Sequence, residues 1–450
     1  MKRKIYTQLM TWKEDGAGRT ALLVDGARSV GKSYIVEQFA RAEYRSYILI
    51  DFSRVSDDVK DLFEHYLNDL DTLFLYLANY YNVKLYERES LIIFDDVQLC
   101  PRARAAIKYL VADGRYDYIE TGCSFTVLNR SAKDIVIPSE ERHIKMYPMD
   151  FEEFLWAMGN DTLMGIVRTH YEARKPLGQA MHRKAMDYFR QYLIVGGMPE
   201  AVSEFIQSRD FDRVDQVKRE ILTLYREDIG KHADGLAAKV TAIFDAIPLQ
   251  LNKREKKFKL SCLKQGARFR DYEDALFWLS DSMMINVCYY HTDLNDPMAL
   301  KNYLSFKCFM GDTGLLISHA FDESQLVNEE IYRKLLFDKL DTSWGMVAEN
   351  IVAQMLAASE HRLYFYSNSS REDKDARMEI DFLIPKRGIG NQHIFSPIEV
   401  KSSRYYTLSS LRKFIKEFHE QTATPYILHT GDVKEEGGLV FLPLYMAPLL

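Results

Sequence analysis

Along the first 160 residues, short apolar runs alternate with stretches whose apolar side chains recur at helical spacing. Residues 20–24, 47–51, 91–94 and 116–119 read as strands, and 33–41 and 58–81 as amphipathic helices between them. That rhythm predicts an α/β fold built on a parallel sheet covered by helices. From 151 to 253 the periodicity turns helical, as in FEEFLWAM and AMDYFRQYLIV, with a turn expected where Gly196, Gly197 and Pro199 interrupt it. Two short helical patterns then precede two apolar, β-branched and aromatic runs at 284–291 and 303–310. Beyond Trp344 the pattern predicts a helix over 347–358, strands at 362–366, 379–384 and 394–400, a helix from Leu408 and a strand at 425–429.

A chain of 450 residues exceeds one hydrophobic core and divides into two to four domains. The pattern places their bounds at 1–160, 161–253 as a helical lid and connector, 254–335, and 336–450. Helices followed by a hairpin, over 254–335, are what a winged-helix-like module needs. With 47% hydrophobic and 28% charged residues, and only 22 Gly and 12 Pro, nothing suggests disorder or a fibre.

Five scattered cysteines form no CxxC or Cys/His cluster, so zinc is not expected and buried free thiols are. The basic N-terminus lacks an apolar core, and no run of about 18 apolar residues occurs. A cytoplasmic, soluble protein that avoids the membrane is the expectation.

A formal net charge of −6 gives the whole chain no field that seeks polyanions. The dense basic stretch at 252–270 carries eight Lys and Arg against Glu255 alone. Lys256, Lys257, Lys259, Lys264, Arg268 and Arg270 could track a DNA backbone, or simply form a solvated face. The helix expected over 271–282 opens on Asp271, Glu273 and Asp274, which would repel phosphates, so groove reading by that helix is not expected.

Chemistry is most legible at residues 26–33, GARSVGKS, which fit G-x-x-x-x-G-K-[ST] between a strand and a helix. Backbone amides of Gly26, Ala27, Arg28, Ser29, Val30 and Gly31 would turn around phosphates, Lys32 would reach the β and γ phosphates, and Ser33 would ligate Mg²⁺. Mg-ATP is the expected ligand. LIIFDDVQ then supplies an apolar strand ending in Asp95, expected to hold the metal, and Asp96, expected to orient the attacking water. In YIETGCS a further strand ends near Thr121 and Ser124, where a polar side chain can sense the γ phosphate.

Taken in order, GARSVGKS, FDDVQ, TGCS and YPMDFEEFL resemble the prokaryotic AAA-type P-loop ATPases with a conserved C-terminal region. The likeness continues through YLIVGGMPEAV, YREDIGK, GDTGLL, GMVAENIV, EIDFLI and IEVKSS, and so covers nearly the whole chain. It implies a Glu after the metal Asp, and here Asp96 is one methylene shorter, which implies slow hydrolysis or a differently placed water. It also implies an arginine acting in cis or in trans, for which Arg142 is the candidate; a solvated strand-end arginine is the alternative.

Strand periodicity puts Glu399 and Lys401 on one face, with Ile398 and Val400 on the other. With Asp381 and the helical Glu349, the D-x17-E-x-K spacing resembles a PD-(D/E)XK nuclease core. That resemblance implies Mg²⁺ on Asp381 and Glu399, Glu349 completing the shell, and Lys401 positioning a water. A salt-bridge network on a nuclease-like fold fits the same residues. Three functions stay open: an ATP-driven switch or motor, possibly on DNA; a Mg²⁺-dependent DNA nuclease gated by ATP; and a non-catalytic NTP-binding scaffold, with a homo-oligomer or protein partner possible in each.

Overall fold

The computed structural model describes residues 1–16, 18–123, 139–253, 256–291, 302–321, 344–368, 376–387, 393–403 and 405–450. Two compact units result: Met1–Tyr147 with Asp281–Met283, and Pro148–Ser280 with Met284–Leu450. It is a mixed α/β structure with a parallel central sheet in the first unit and a second sheet in the C-terminal region.

In the first unit, strands β1 (Ala21–Asp25), β2 (Ser46–Asp51), β3 (Ser90–Asp95), β4 (Asp117–Gly122) and β5 (Glu141–Lys145) pair in the order β2-β3-β4-β1-β5. Every pair is parallel. β1 and β3 are apolar runs buried along their whole length, as the middle of a parallel sheet requires, and β4, DYIETG, is buried as fully although it carries Asp117, Glu120 and Thr121. β5, the polar ERHIK, is an edge strand with three of its five residues exposed, and the hydrophobic pattern does not announce it.

The single helical stretch expected at 58–81 forms two helices, Asp57–His65 and Leu70–Tyr80. Asp69 starts the second by accepting from the Thr72 amide at 3.2 Å. Phe52, Phe63 and Phe94 meet edge to face and tilted beneath the sheet, with centroids 5.5–5.9 Å apart.

The second unit begins with helices from Phe151 onward and ends in an eight-stranded sheet. Its strands are β6 (Ile285–Tyr290), β7 (Asn302–Met310), β8 (Tyr364–Asn368), β9 (Met378–Arg387), β10 (His393–Val400), β11 (Tyr426–His429), β12 (Lys434–Glu436) and β13 (Leu439–Pro443). Their order is β12-β13-β11-β10-β9-β8-β6-β7. The hairpin expected at 284–310 forms, and β6 also pairs in parallel with β8. The two runs therefore extend the C-terminal sheet across the boundary expected at 335.

Several sequence landmarks meet in one buried knot. Asp312, fully buried, accepts from the amides of Gly197 at 2.6 Å and Leu315 at 2.9 Å, capping the helix Thr313–Ala320. A Cβ on Gly197 would lie 2.1 Å from the Met149 carbonyl oxygen, so only glycine fits. Asn350 accepts from the Met310 amide and Gln354 from the Thr313 amide, both at 2.8 Å. These motifs join the long helices to the sheet.

Candidate functional site

The turn after β1 has the shape of a phosphate loop. Ser29 and Gly31 take positive φ, 64° and 92°, and Gly31 immediately precedes the helix Lys32–Glu43, whose first amides face the loop. Gly26 has no room for a side chain, since a Cβ would lie 2.4 Å from the Met146 carbonyl oxygen. Lys32 Nζ donates to the carbonyls of Gly26 at 2.8 Å and Ala27 at 2.9 Å, which places its charge inside the loop. Ala27 and Val30 are buried, while Arg28 and Ser33 are exposed. Arg3, buried and absent from the sequence reading, braces the outer wall by donating to the Val30 carbonyl at 2.8 Å.

Strand order decides what lies beside the loop. β4 runs between β1 and β3, so Thr121 stands between the loop and Asp95. The Thr121 hydroxyl donates to Asp95 Oδ1, and the Asp96 amide donates to Thr121 Oγ1 at 3.3 Å. Burial raises the pKa of Asp95, while hydrogen bonds from Thr121 and Ser33 pull it back and the charges of Asp96 and Asp51 add to the rise. Asp96 itself is left-handed, φ 53° and ψ 47°, and its Oδ1 accepts from Gln98 Nε2 at 3.1 Å.

Asp51, at the end of β2 and level with Asp95, brings a third carboxylate, with oxygens of all three acids within 4.8 Å of one another. The one signal for Asp51 in the sequence is that its strand, like β3, ends in an acid. Ser124 lies outside the described residues. Arg142 is exposed on β5 opposite Leu22, three residues before the end of β1 and thus about 10 Å back from the loop.

Beneath the sheet, Arg104, Glu120 and Glu141 form a buried charged group, with Arg104 Nη2 3.0 Å from Glu141 Oε1. Burial, then hydrogen bonding to Glu141, holds Glu120 well above the usual carboxylate range.

In the second unit the residues singled out near the C-terminus come together. Asp381 on β9 accepts from the Val400 amide at 2.8 Å, and Glu399 on β10 pairs with Lys401. Burial, then the charge of Asp381, raises Glu399 to about 7, against the opposing pull of Lys401. Glu349, on the helix Trp344–Ala358, faces the same cluster and pairs with Lys256. Lys256 also donates to the Gly345 carbonyl at 3.1 Å, so of the basic residues expected to meet DNA it is the one turned inward. Lys257 is half-buried over the Tyr290 ring, whereas Lys259 and Arg268 are exposed.

Lys307 on β7 also belongs to this cluster, without a sequence signal to mark it. Its buried Nζ lies 3.0 Å from Glu379, 3.8 Å from Asp381 and 3.9 Å from Glu349. A lone lysine in FKCFM carries no motif; the pairing of β6 with β8, and the packing of the helix Trp344–Ala358 against β7, bring its strand to these carboxylates.

Residues 18–155 match an AAA domain family. Residues 186–325 and 344–446 match two domains of unknown function, DUF8612 and DUF4143. No curated protein matches the chain. Among solved structures, a Walker-type ATPase of Pyrococcus abyssi aligns at 14% identity over 71% of this chain and 95% of its own, with a TM-score of 0.39. The ORC1 protein of Aeropyrum pernix, in complex with DNA, aligns at 10% identity over 73% and 94%, with a TM-score of 0.29. Cdc6p of Pyrobaculum aerophilum aligns at 12% identity over 76% and 96%, with a TM-score of 0.25.

The AAA domain thus contains the whole phosphate loop, Asp51, Asp95, Asp96, Thr121 and Arg142. Glu349, Asp381, Glu399 and Lys401 fall within the second domain of unknown function, and Lys307 within the first. No described helix is long and apolar enough to cross a membrane.

Proposed function

We propose that the AAA domain binds Mg-ATP in the loop 26–33 and hydrolyses it, and that the chain works as a nucleotide-driven switch. The observation that carries this reading is the junction of Ser33, Asp95 and Thr121 beside a loop that holds the Lys32 ammonium on the Gly26 and Ala27 carbonyls. The donor set suits the metal: hard oxygens of Ser33, Asp95 and Asp51 are what Mg²⁺ takes. When bound, the ion neutralises charge on the β and γ phosphates.

The chain's own groups divide the remaining work. Inward-facing amides and Lys32 hold phosphate oxygens, Asp96 orients the attacking water, and Thr121 holds Asp95 in one rotamer. Arg142, on an exposed edge strand, suits a role towards a neighbouring copy better than one in its own loop. Phosphate release from ATP, measured with purified full-length protein, tests the reading: Lys32→Ala and Asp95→Asn are both expected to abolish turnover. Undiminished turnover in either variant refutes the assignment.

DNA is the proposed partner of the switch, met through the exposed Lys259, Lys264, Arg268 and Arg270 with Lys257 at the margin. Binding measured against salt concentration is expected to lose about one unit of log–log slope for each such residue replaced by Ala. A slope that does not change removes DNA from the proposal and leaves the ATPase.

A further inference from the structure

We infer that the ammonium of Lys307 stands in place of a divalent cation in the C-terminal carboxylate cluster, so that this site binds no metal and cuts no nucleic acid. The inference concerns the second unit and does not depend on ATP hydrolysis.

Three observations carry it. The first is position: Lys307 comes from β7, its Nζ is fully buried, and it lies 3.0–3.9 Å from Glu379, Asp381 and Glu349. Nζ makes no aligned hydrogen bond to any of the three, so the contacts are those of a central point charge among carboxylates. Mg²⁺ would need the same oxygens at about 2.1 Å, in a volume the ammonium occupies.

The second is charge. Lys256 pairs with Glu349 and Lys401 with Glu399, so three ammonium groups face the four carboxylates Glu349, Glu379, Asp381 and Glu399. One formal negative charge remains for all four acids, and a dication would overcompensate it.

The third is geometry. Among the described residues, only Asp51, Asp95 and Asp96 bring three metal-ligating groups within 4.8 Å of one another. Glu349, Asp381 and Glu399 do not while the Lys307 ammonium stands among them, 3.9 Å from Glu349 and 3.8 Å from Asp381. In this site Asp381 also spends Oδ2 on the Val400 amide at 2.8 Å, which ties β9 to β10.

The test counts Mn²⁺ by electron paramagnetic resonance in full-length, nucleotide-free protein carrying Asp95→Asn, so that the AAA site is silenced in every arm. With Lys307 intact, no ion is expected at millimolar Mn²⁺, and plasmid DNA stays intact with Mg²⁺ or Mn²⁺. Adding Lys307→Met is expected to create one Mn²⁺ site, lost again with Asp381→Asn. Either an ion bound with Lys307 intact and lost on Asp381→Asn, or plasmid cleavage abolished by Asp381→Asn, overturns the inference. A folded Lys307→Met protein that gains no ion overturns it equally. Should Lys307→Met not fold, Lys307→Gln takes its place with the same two outcomes.

Discussion

The Thr121 hydroxyl donates its hydrogen bond to the carboxylate of Asp95 across adjacent strand ends, and both side chains are buried. A carboxylate this deep is costly without donors, and Thr121 supplies one that no water can easily replace. Thr121→Val should lower ATP turnover about tenfold while changing the KM for ATP less than about twofold, because the lost contact orients Asp95 rather than binding phosphate. Steady-state kinetics of the two proteins check this; equal rates would relieve Thr121 of any role in placing Asp95.

Lys32 reaches its loop carbonyls at 2.8 and 2.9 Å, within the ring of amides that would face phosphate. Lys32→Ala should weaken ATP affinity on the order of 100-fold, the loss of a strong charge-assisted contact to the β and γ phosphates. Calorimetric titration reads it directly, and an unchanged Kd is incompatible with the proposed phosphate loop.

The left-handed backbone at Asp96 bears on the missing methylene. Asp is tolerated at φ 53° better than Glu, and its carboxylate is already held by Gln98 at 3.1 Å. Lengthening the side chain should therefore not improve its placement. Asp96→Glu is expected to cost roughly 1 kcal/mol of stability and to lower turnover rather than raise it. Faster hydrolysis in the variant would mean that reach, not backbone conformation, limits turnover.

Lys218 is fully buried, donates to the Ile194 carbonyl at 2.8 Å, and titrates at about 8 because burial outweighs the charges of Asp215 and Asp312. Its pKa is depressed on folding, so its contribution is fully present above the unfolded value near 10.4 and is lost as pH falls through about 8. Between those limits, stability should rise with pH by up to about 3 kcal/mol from this group. Denaturation of wild type and Lys218→Met at pH 7.5 and 10 separates the contribution; a slope that survives the substitution belongs to other groups.

At Gly197 an added methyl would sit 2.1 Å from the Met149 carbonyl oxygen and would disturb the amide that donates to Asp312. Gly197→Ala should destabilise the second unit by roughly 2–4 kcal/mol, without touching ATP binding by the AAA domain. Loss of stability seen by circular dichroism with nucleotide affinity intact is the expected pair of results. A fully stable variant would show that the close approach relaxes.

Much of this architecture was written in the sequence because it is local. Buried runs such as ALLVD and LIIFD can only be interior strands, Gly31 and Lys32 carry their loop with them, and the order of Asp95, Asp96 and Thr121 places them on successive strand ends. Asp381, Glu399 and Lys401 were likewise legible as polar groups on otherwise apolar strands. Pairing in three dimensions decided the rest. β5 is polar and becomes a strand only by lying beside β1, and Asp51 joins Asp95 only because β2 and β3 are neighbours in register. Lys307 shows the limit most clearly: 42 residues before Glu349 and 74 before Asp381 in the chain, it meets both because β6 joins the hairpin to β8 and the helix Trp344–Ala358 packs against β7. Periodicity reports which face of an element is buried, whereas the charge of a buried site depends on which elements meet there. Only the fold fixes that.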